Sequence, residues 1–210
     1  MKYISVLLSF LVGIMLSQAA LTSDTLPDPM ANYTIEDITW TVNVNSDHDD
    51  LVTGTIEDVV NHLAIVDPEG FAVLNKSITD DIDVAPSGSS SVAFDKYNAT
   101  GYLCEVYPGQ ANGTRVKYGI DYLRKVKGSP TKGPGPSACG RVSCSYEAAI
   151  WWCNNGPEDL TLDTYGRIAD GAQDLVDSCS FYIKDSVYGD FNGIQFFEGN
   201  WTVIVRKNSC

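Results

Sequence analysis

Basic residues are scarce. The chain carries 14 Lys and Arg against 27 Asp and Glu, a net charge of −13, which excludes nucleic-acid binding through a global positive field. Histidine is scarcer still, with only His48 and His62 in 210 residues, so a His-rich metal centre is excluded. No Cys-x-x-Cys pair occurs, and the cysteines therefore lack the spacing of a structural zinc site. Missing too are the Gly-x-Ser-x-Gly elbow of a serine hydrolase and the Asp-x-Asp-x-Asp-Gly calcium loop. Beyond residue 16 no apolar run approaches the roughly 20 residues that a bilayer span takes, and no membrane span is expected. Apolar content is ordinary at 44%, which argues against a mostly disordered chain.

What is present points first to export. Lys2 precedes an apolar run from Ile4 to Leu16, and Ser17 and Ala19 are small residues at −3 and −1 of a cleavage site. Residues 1–19 read as a secretion signal. The mature chain of about 190 residues suits one domain or two small ones and is long enough to bury a core. Its six cysteines, Cys104, Cys139, Cys144, Cys153, Cys179 and Cys210, are even in number. In an oxidising compartment they are expected to form three bridges, whose pairing the sequence leaves open. Sequons at Asn32, Asn75, Asn98, Asn112 and Asn200 agree with a secreted glycoprotein.

Charge divides the mature chain. Residues 20–110 hold 16 acidic residues against Lys76 and Lys96 and contain one cysteine at their very end, whereas residues 111–210 hold 11 of each sign. An acidic, cysteine-poor N-terminal part and a disulfide-stabilised C-terminal part follow, as two lobes or as one continuous domain over 20–210. Gly/Pro/Ser-rich stretches at 85–91 and 128–137 are expected loops.

Periodicity gives the elements. Ile38, Trp40, Val42 and Val44 alternate as one face of a strand, followed by a polar turn at Asp47–Asp50. Thr55 and Asp58 form a capping box before Ile56, Val59, Val60 and Leu63 at helical spacing. Residues 71–78 and 91–106 look extended. Val116, Ile120 and Leu123 mark a short helix. Arg141 to Cys153 alternates throughout and reads as a strand; if it is continuous, Cys144 and Cys153 face opposite sides and cannot bridge each other. Ile168, Ala169, Ala172, Leu175, Val176 and Cys179 share one helical face, capped by Asp163 or Thr164. Residues 180–187, 193–197 and 201–205 read as closing strands, with a hairpin turn at Glu198–Asn200. The expected class is α+β, with helices on one face of a mainly antiparallel sheet.

Chemistry is sparse. Oxidised cysteines are not nucleophiles. His62 falls at the edge of an apolar helical face and reads as a packing or surface residue. His48 with Asp47, Asp49 and Asp50 reads as a solvated turn in preference to a cation site, since consecutive side chains cannot all face one ion. Paired carboxylates stay open, because sequence spacing says nothing of the distance between them. Trp152 is assigned to the core, and Trp151 is left open between core and a candidate binding surface, adjacent strand residues facing opposite ways. Arg115, Lys117, Arg124, Lys125, Lys127, Lys132 and Arg141 form a basic cluster. Pairing with the chain's own acids is favoured for it over an external anion, though Arg115, Lys117, Arg124, Lys125 and Lys127 are kept as candidate binding residues.

Residues 54–63 (GTIEDVVNHL), 119–124 (GIDYLR), 133–154 (GPGPSACGRVSCSYEAAIWWCN) and 168–172 (IADGA) together resemble a group of small secreted, cysteine-containing proteins of filamentous ascomycete fungi, candidate effectors without an assigned reaction. A looser similarity extends to necrosis-inducing and killer-toxin-like effectors. The resemblance implies export and a fungal source and supplies no catalytic residues. The expected function is that of a secreted, non-catalytic protein binding a protein or glycan at a host or microbial surface, without cofactor or metal. A carboxylate-based extracellular carbohydrate hydrolase and a wall structural protein are the alternatives.

Overall fold

The computed structural model describes residues 30–45, 48–72, 75–76, 98–183 and 187–210. The leader and the loop at 85–91 lie outside the described residues.

The strands are β1 (Thr34–Ile35), β2 (Ile38–Asn45), β3 (His48–Gly54), β4 (Ala99–Cys104), β5 (Thr131–Lys132), β6 (Ala138–Ser145), β7 (Ala148–Asn154), β8 (Leu160–Thr161), β9 (Tyr182–Ile183), β10 (Val187–Tyr188), β11 (Gly193–Phe197) and β12 (Trp201–Lys207). The longer helices among the described residues are α1 (Ile56–Val66), α2 (Gly113–Lys125) and α3 (Gly166–Cys179). Six strands form the main sheet in the order β1-β6-β7-β12-β11-β4, and β2–β3, β5–β8 and β9–β10 are separate antiparallel pairs. All pairs of the main sheet are antiparallel except β1 with β6. The class is α+β, as the alternation of periodicities implies.

One face of the sheet carries the three helices. Val142, Ile150, Trp152, Val203 and Val205 meet Ile120 and Leu123 of α2, Ile168 and Leu175 of α3, and Ile56 and Val59 of α1. Trp40 of β2 joins this core, its indole N–H donating to the Gly54 carbonyl at 2.9 Å and its ring stacked on Tyr165 at 4.4 Å. Residues from the acidic and the balanced parts thus share one core. Asp58 starts α1 by accepting from the Thr55 amide at 2.7 Å.

Four expectations are corrected. Arg141–Cys153 is not one strand: β6 and β7 reverse at Tyr146–Glu147, both with positive φ (49° and 62°), the geometry of a two-residue type I′ hairpin. The register also slips by one residue between Arg141 and Ser143, a bulge at Val142. The slip puts Cys139 and Cys144 on the same face, away from the helices, with Trp151 and Cys153. Of residues 71–78, read as extended, 71–72 and 75–76 are helical, following a helical turn that begins at 68 and that Asp67 caps by accepting from the Gly70 amide at 3.0 Å. Asp49 and Asp50 belong to β3 and not to a turn. The strand read over 91–106 is observed only as β4; residues 91–97 lie outside the described residues.

Beside the bulge, Glu57 of α1 supplies the partner of the Cys144 amide. Its carboxylate accepts from Cys144 N at 2.9 Å and from the Ser143 hydroxyl at 2.6 Å. Gly119 of α2 lies directly over this point: a Cβ there would stand 2.2 Å from Ser143 Oγ. Burial, then Glu57 and Tyr118, push the Tyr122 phenol upward.

Three disulfides close the structure. Cys104–Cys179 ties β4 to the end of α3, Cys139–Cys153 crosses the β6–β7 hairpin, and Cys144–Cys210 anchors the C-terminus. No described cysteine is free.

Candidate functional site

An open groove of about 530 Å3 lies between the β4 edge of the sheet and helix α3. Its sheet wall is built from Thr100 and Tyr102 of β4 with Gln195 and Phe197 of β11; its helix wall carries Asp170, Asp174 and Asp177, and Arg124 of α2 stands at one end.

Local sequence explains both walls. On α3 the apolar residues Ile168, Ala172, Leu175 and Val176 turn to the sheet, so positions 170, 174 and 177, spaced i, i+4 and i+7, share the flank beside β4. Gly171 lets the helix settle, since a Cβ there would lie 2.8 Å from Phe197. On the sheet, Tyr102 pairs with Gln195 and Gly193 with Cys104. Cys104 bonds to Cys179 of α3, so Tyr102, two residues away, also faces the helix side. Gln195 is 3% exposed and donates to the Gly101 carbonyl at 3.0 Å, holding β4 in place.

The groove's charges are organised. Arg124 Nη2 reaches Asp170 at 3.1 Å. The Gln173 amide donates to Asp177 at 2.9 Å, and the carbonyl oxygen of the same Gln173 is buried without a hydrogen-bond partner among the described residues. All three carboxylates come from one wall; the strand wall contributes hydroxyl, amide and ring groups.

The residues singled out by sequence are mostly elsewhere. Trp151 is 6% exposed and is not a surface residue: the sheet's second face is itself covered, with Met30, Tyr33 and Tyr107 packed around Trp151 and Ile204. Trp152 is fully buried on the helix face, as expected. The indole N–H groups of both tryptophans lack a partner among the described residues.

The basic cluster is not gathered into one patch. Lys117 pairs with Asp121, and buried Lys132 reaches Glu36 of the acidic part at 2.8 Å. Arg115 lies over the Tyr146 ring at 4.0 Å, and Lys125 and Lys127 are exposed around the end of α2. Arg141 holds the C-terminus, donating to the Ser209 carbonyl at 2.7 Å. Only Arg124 enters the groove.

His62 Nε2 lies 2.7 Å from Asp50 Oδ2, linking α1 to β3. Asp47 and the side chain of His48 lie outside the described residues, and no group of three or more potential metal ligands occurs among the described ones. The five sequon asparagines, Asn32, Asn75, Asn98, Asn112 and Asn200, are all exposed. Asn112 also caps α2, accepting from the Arg115 amide at 3.1 Å.

Sequence reasoning missed the groove. The i, i+4, i+7 acids were visible, but the opposing wall comes from a strand about seventy residues earlier.

No family model matches the chain, nor does any curated protein or solved structure. The three disulfides are compatible with an extracellular protein. No described helix is long and apolar enough to cross a membrane.

Proposed function

We propose that the chain is an exported, non-catalytic protein that acts by binding at a host or microbial surface, and that the groove between β4 and α3 is its binding site. The observation that supports this reading is the one-sided placement of the carboxylates. Hydrolysis by paired acids needs carboxyl groups on both sides of the bond to be cleaved, about 5 to 10 Å apart. Here Asp170, Asp174 and Asp177 all rise from α3, and among the described residues no acid lines the strand wall. Asp170 and Asp177 are each engaged by a neighbouring donor. This arrangement suits recognition of a donor-rich ligand better than proton transfer across a substrate. Disulfide bracing of both walls through Cys104–Cys179 keeps the groove preorganised. The resemblance to secreted fungal proteins supports placing the target on a plant or microbial surface.

The test uses labelled full-length protein on plant and microbial wall and cell-surface preparations, beside a D174N/D177N variant, with the release of reducing sugars followed in parallel. Saturable retention that falls about tenfold or more in the variant, with no sugar released, is the expected result. Turnover abolished by either amide substitution would establish the hydrolase instead. Equal retention of both proteins would remove the groove from the account.

A further inference from the structure

We propose that the occupant of the groove is an extended polypeptide segment with Lys or Arg at alternate positions, which pairs with the outer edge of β4. The proposal rests on the reading of the groove as the binding site.

β4 is the last strand of the main sheet, and among the described residues nothing pairs with its outer edge. Sheet edges are ordinarily guarded by charge, proline or cover. The sequence of β4, Ala-Thr-Gly-Tyr-Leu-Cys, has neither charge nor proline, and Tyr102 and Leu103 are 51% and 52% exposed on its two faces. Such an edge is a template for strand addition, in which main-chain hydrogen bonds give affinity and pockets for alternate side chains give specificity.

The groove supplies those pockets. Gly171 near the start of α3 packs on Phe197, which pairs with Ala99; Cys179 at its end bonds to Cys104. Helix and strand therefore run in the same direction, and the aspartates follow β4 along its length. From Asp170 to Asp177 the helix advances about 10 Å. Alternate side chains of an added strand are about 6.6 Å apart. Two successive helix-side residues of that strand thus stand against the carboxylates of α3.

Charge selects the occupant. Three aspartates outweigh Arg124 in the groove, and the unpartnered Gln173 carbonyl is a further acceptor. Ammonium and guanidinium groups are donors without acceptors and satisfy both. A second copy of this chain, at net −13 and with its own acidic groove, is repelled at the same edge.

The probe is the fluorescently labelled peptide Thr-Lys-Val-Lys-Val-Lys-Thr, titrated by anisotropy against the intact disulfide-bonded protein and against N98Q, which removes a sequon at the start of β4. Saturable binding is expected, about tenfold or more weaker with D174N/D177N and with Glu in place of Lys in the peptide. N-methylation of one alternating set of peptide amides should abolish binding while the other set is tolerated, the signature of strand pairing that simple charge attraction lacks. Equal binding of both methylated peptides, binding to neither protein, or self-association through β4 would each overturn the proposal. If the peptide fails but D174N/D177N still loses surface retention, the groove stands with a different ligand. If that variant retains full surface binding, the groove reading itself has failed.

Discussion

Tyr165 offers a direct measure of how well the helix-side core is sealed. The residue precedes α3, is 5% exposed and stacks on the fully buried Trp40. Burial raises its phenol from 10.0 to about 12, because the phenolate would lose its hydration. In the unfolded chain the phenol ionises near its ordinary value. Between pH 10 and 12 the unfolded state therefore holds fewer protons than the folded one, and stability falls as pH rises. The protection is complete below pH 10 and lost as pH climbs through 12. Two units correspond to about 2.7 kcal/mol at 1.36 kcal/mol each, half of it gone by about pH 11. Tyr165→Phe keeps the ring and its stack and removes the titrating group. Urea unfolding of wild type and Y165F from pH 8 to 11 should therefore give curves that converge or cross as pH rises, wild type losing about 1.4 kcal/mol more than the variant. Other groups titrate equally in both proteins and cancel in the difference. A pH-independent difference between the two, or a folded variant whose absorbance titration lacks one phenolate that wild type forms near pH 10, would refute the idea that this ring is shielded from water.

Two further outcomes follow from packing. G119A should destabilise the fold by about 1–3 kcal/mol in chemical denaturation, although alanine is the better helix former, because the new methyl meets Ser143 Oγ; S143A should recover part of that loss in the double variant, and simple additivity would disprove the clash. Replacing Cys104 and Cys179 by alanine opens a link spanning 75 residues and should cost about 4 kcal/mol on the chain-entropy account; an unchanged urea midpoint would rule that out.

Legibility in the sequence varied with the range of the interaction. Helix α1 was readable because Thr55 and Asp58 form its start within one turn. The β11–β12 turn was readable because Gly199, at φ 82°, occupies it. The β6–β7 reversal was hidden for a physical reason: the two-residue turn shifts the alternation by one and the bulge at Val142 shifts it back, so Val142, Ile150 and Trp152 keep the parity of a single strand. Tyr146 and Glu147 also carry no glycine signal at their positive φ. The turn is supported from outside, by Arg115 over Tyr146 and by Lys207 at 3.0 Å from Glu147. Trp151 was left open because alternation shows which residues share a face but not whether that face is covered. The count of bridges was legible and their pairing was not, since it depends on the bulge and on the meeting of β4 with α3.

The irregularity at Val142 makes the distance between Cys139 and Cys144 a matter of counting. Straighten it at constant length and five residues on a regular ladder would place the two sulfurs on opposite faces, the second beneath α2, where Gly119 leaves no room even for a methyl group. Cys210 would then be stranded on the far side. Loss of one residue is compatible with both bridges, since four positions on a regular strand return the sulfurs to one face, whereas one added residue parts them.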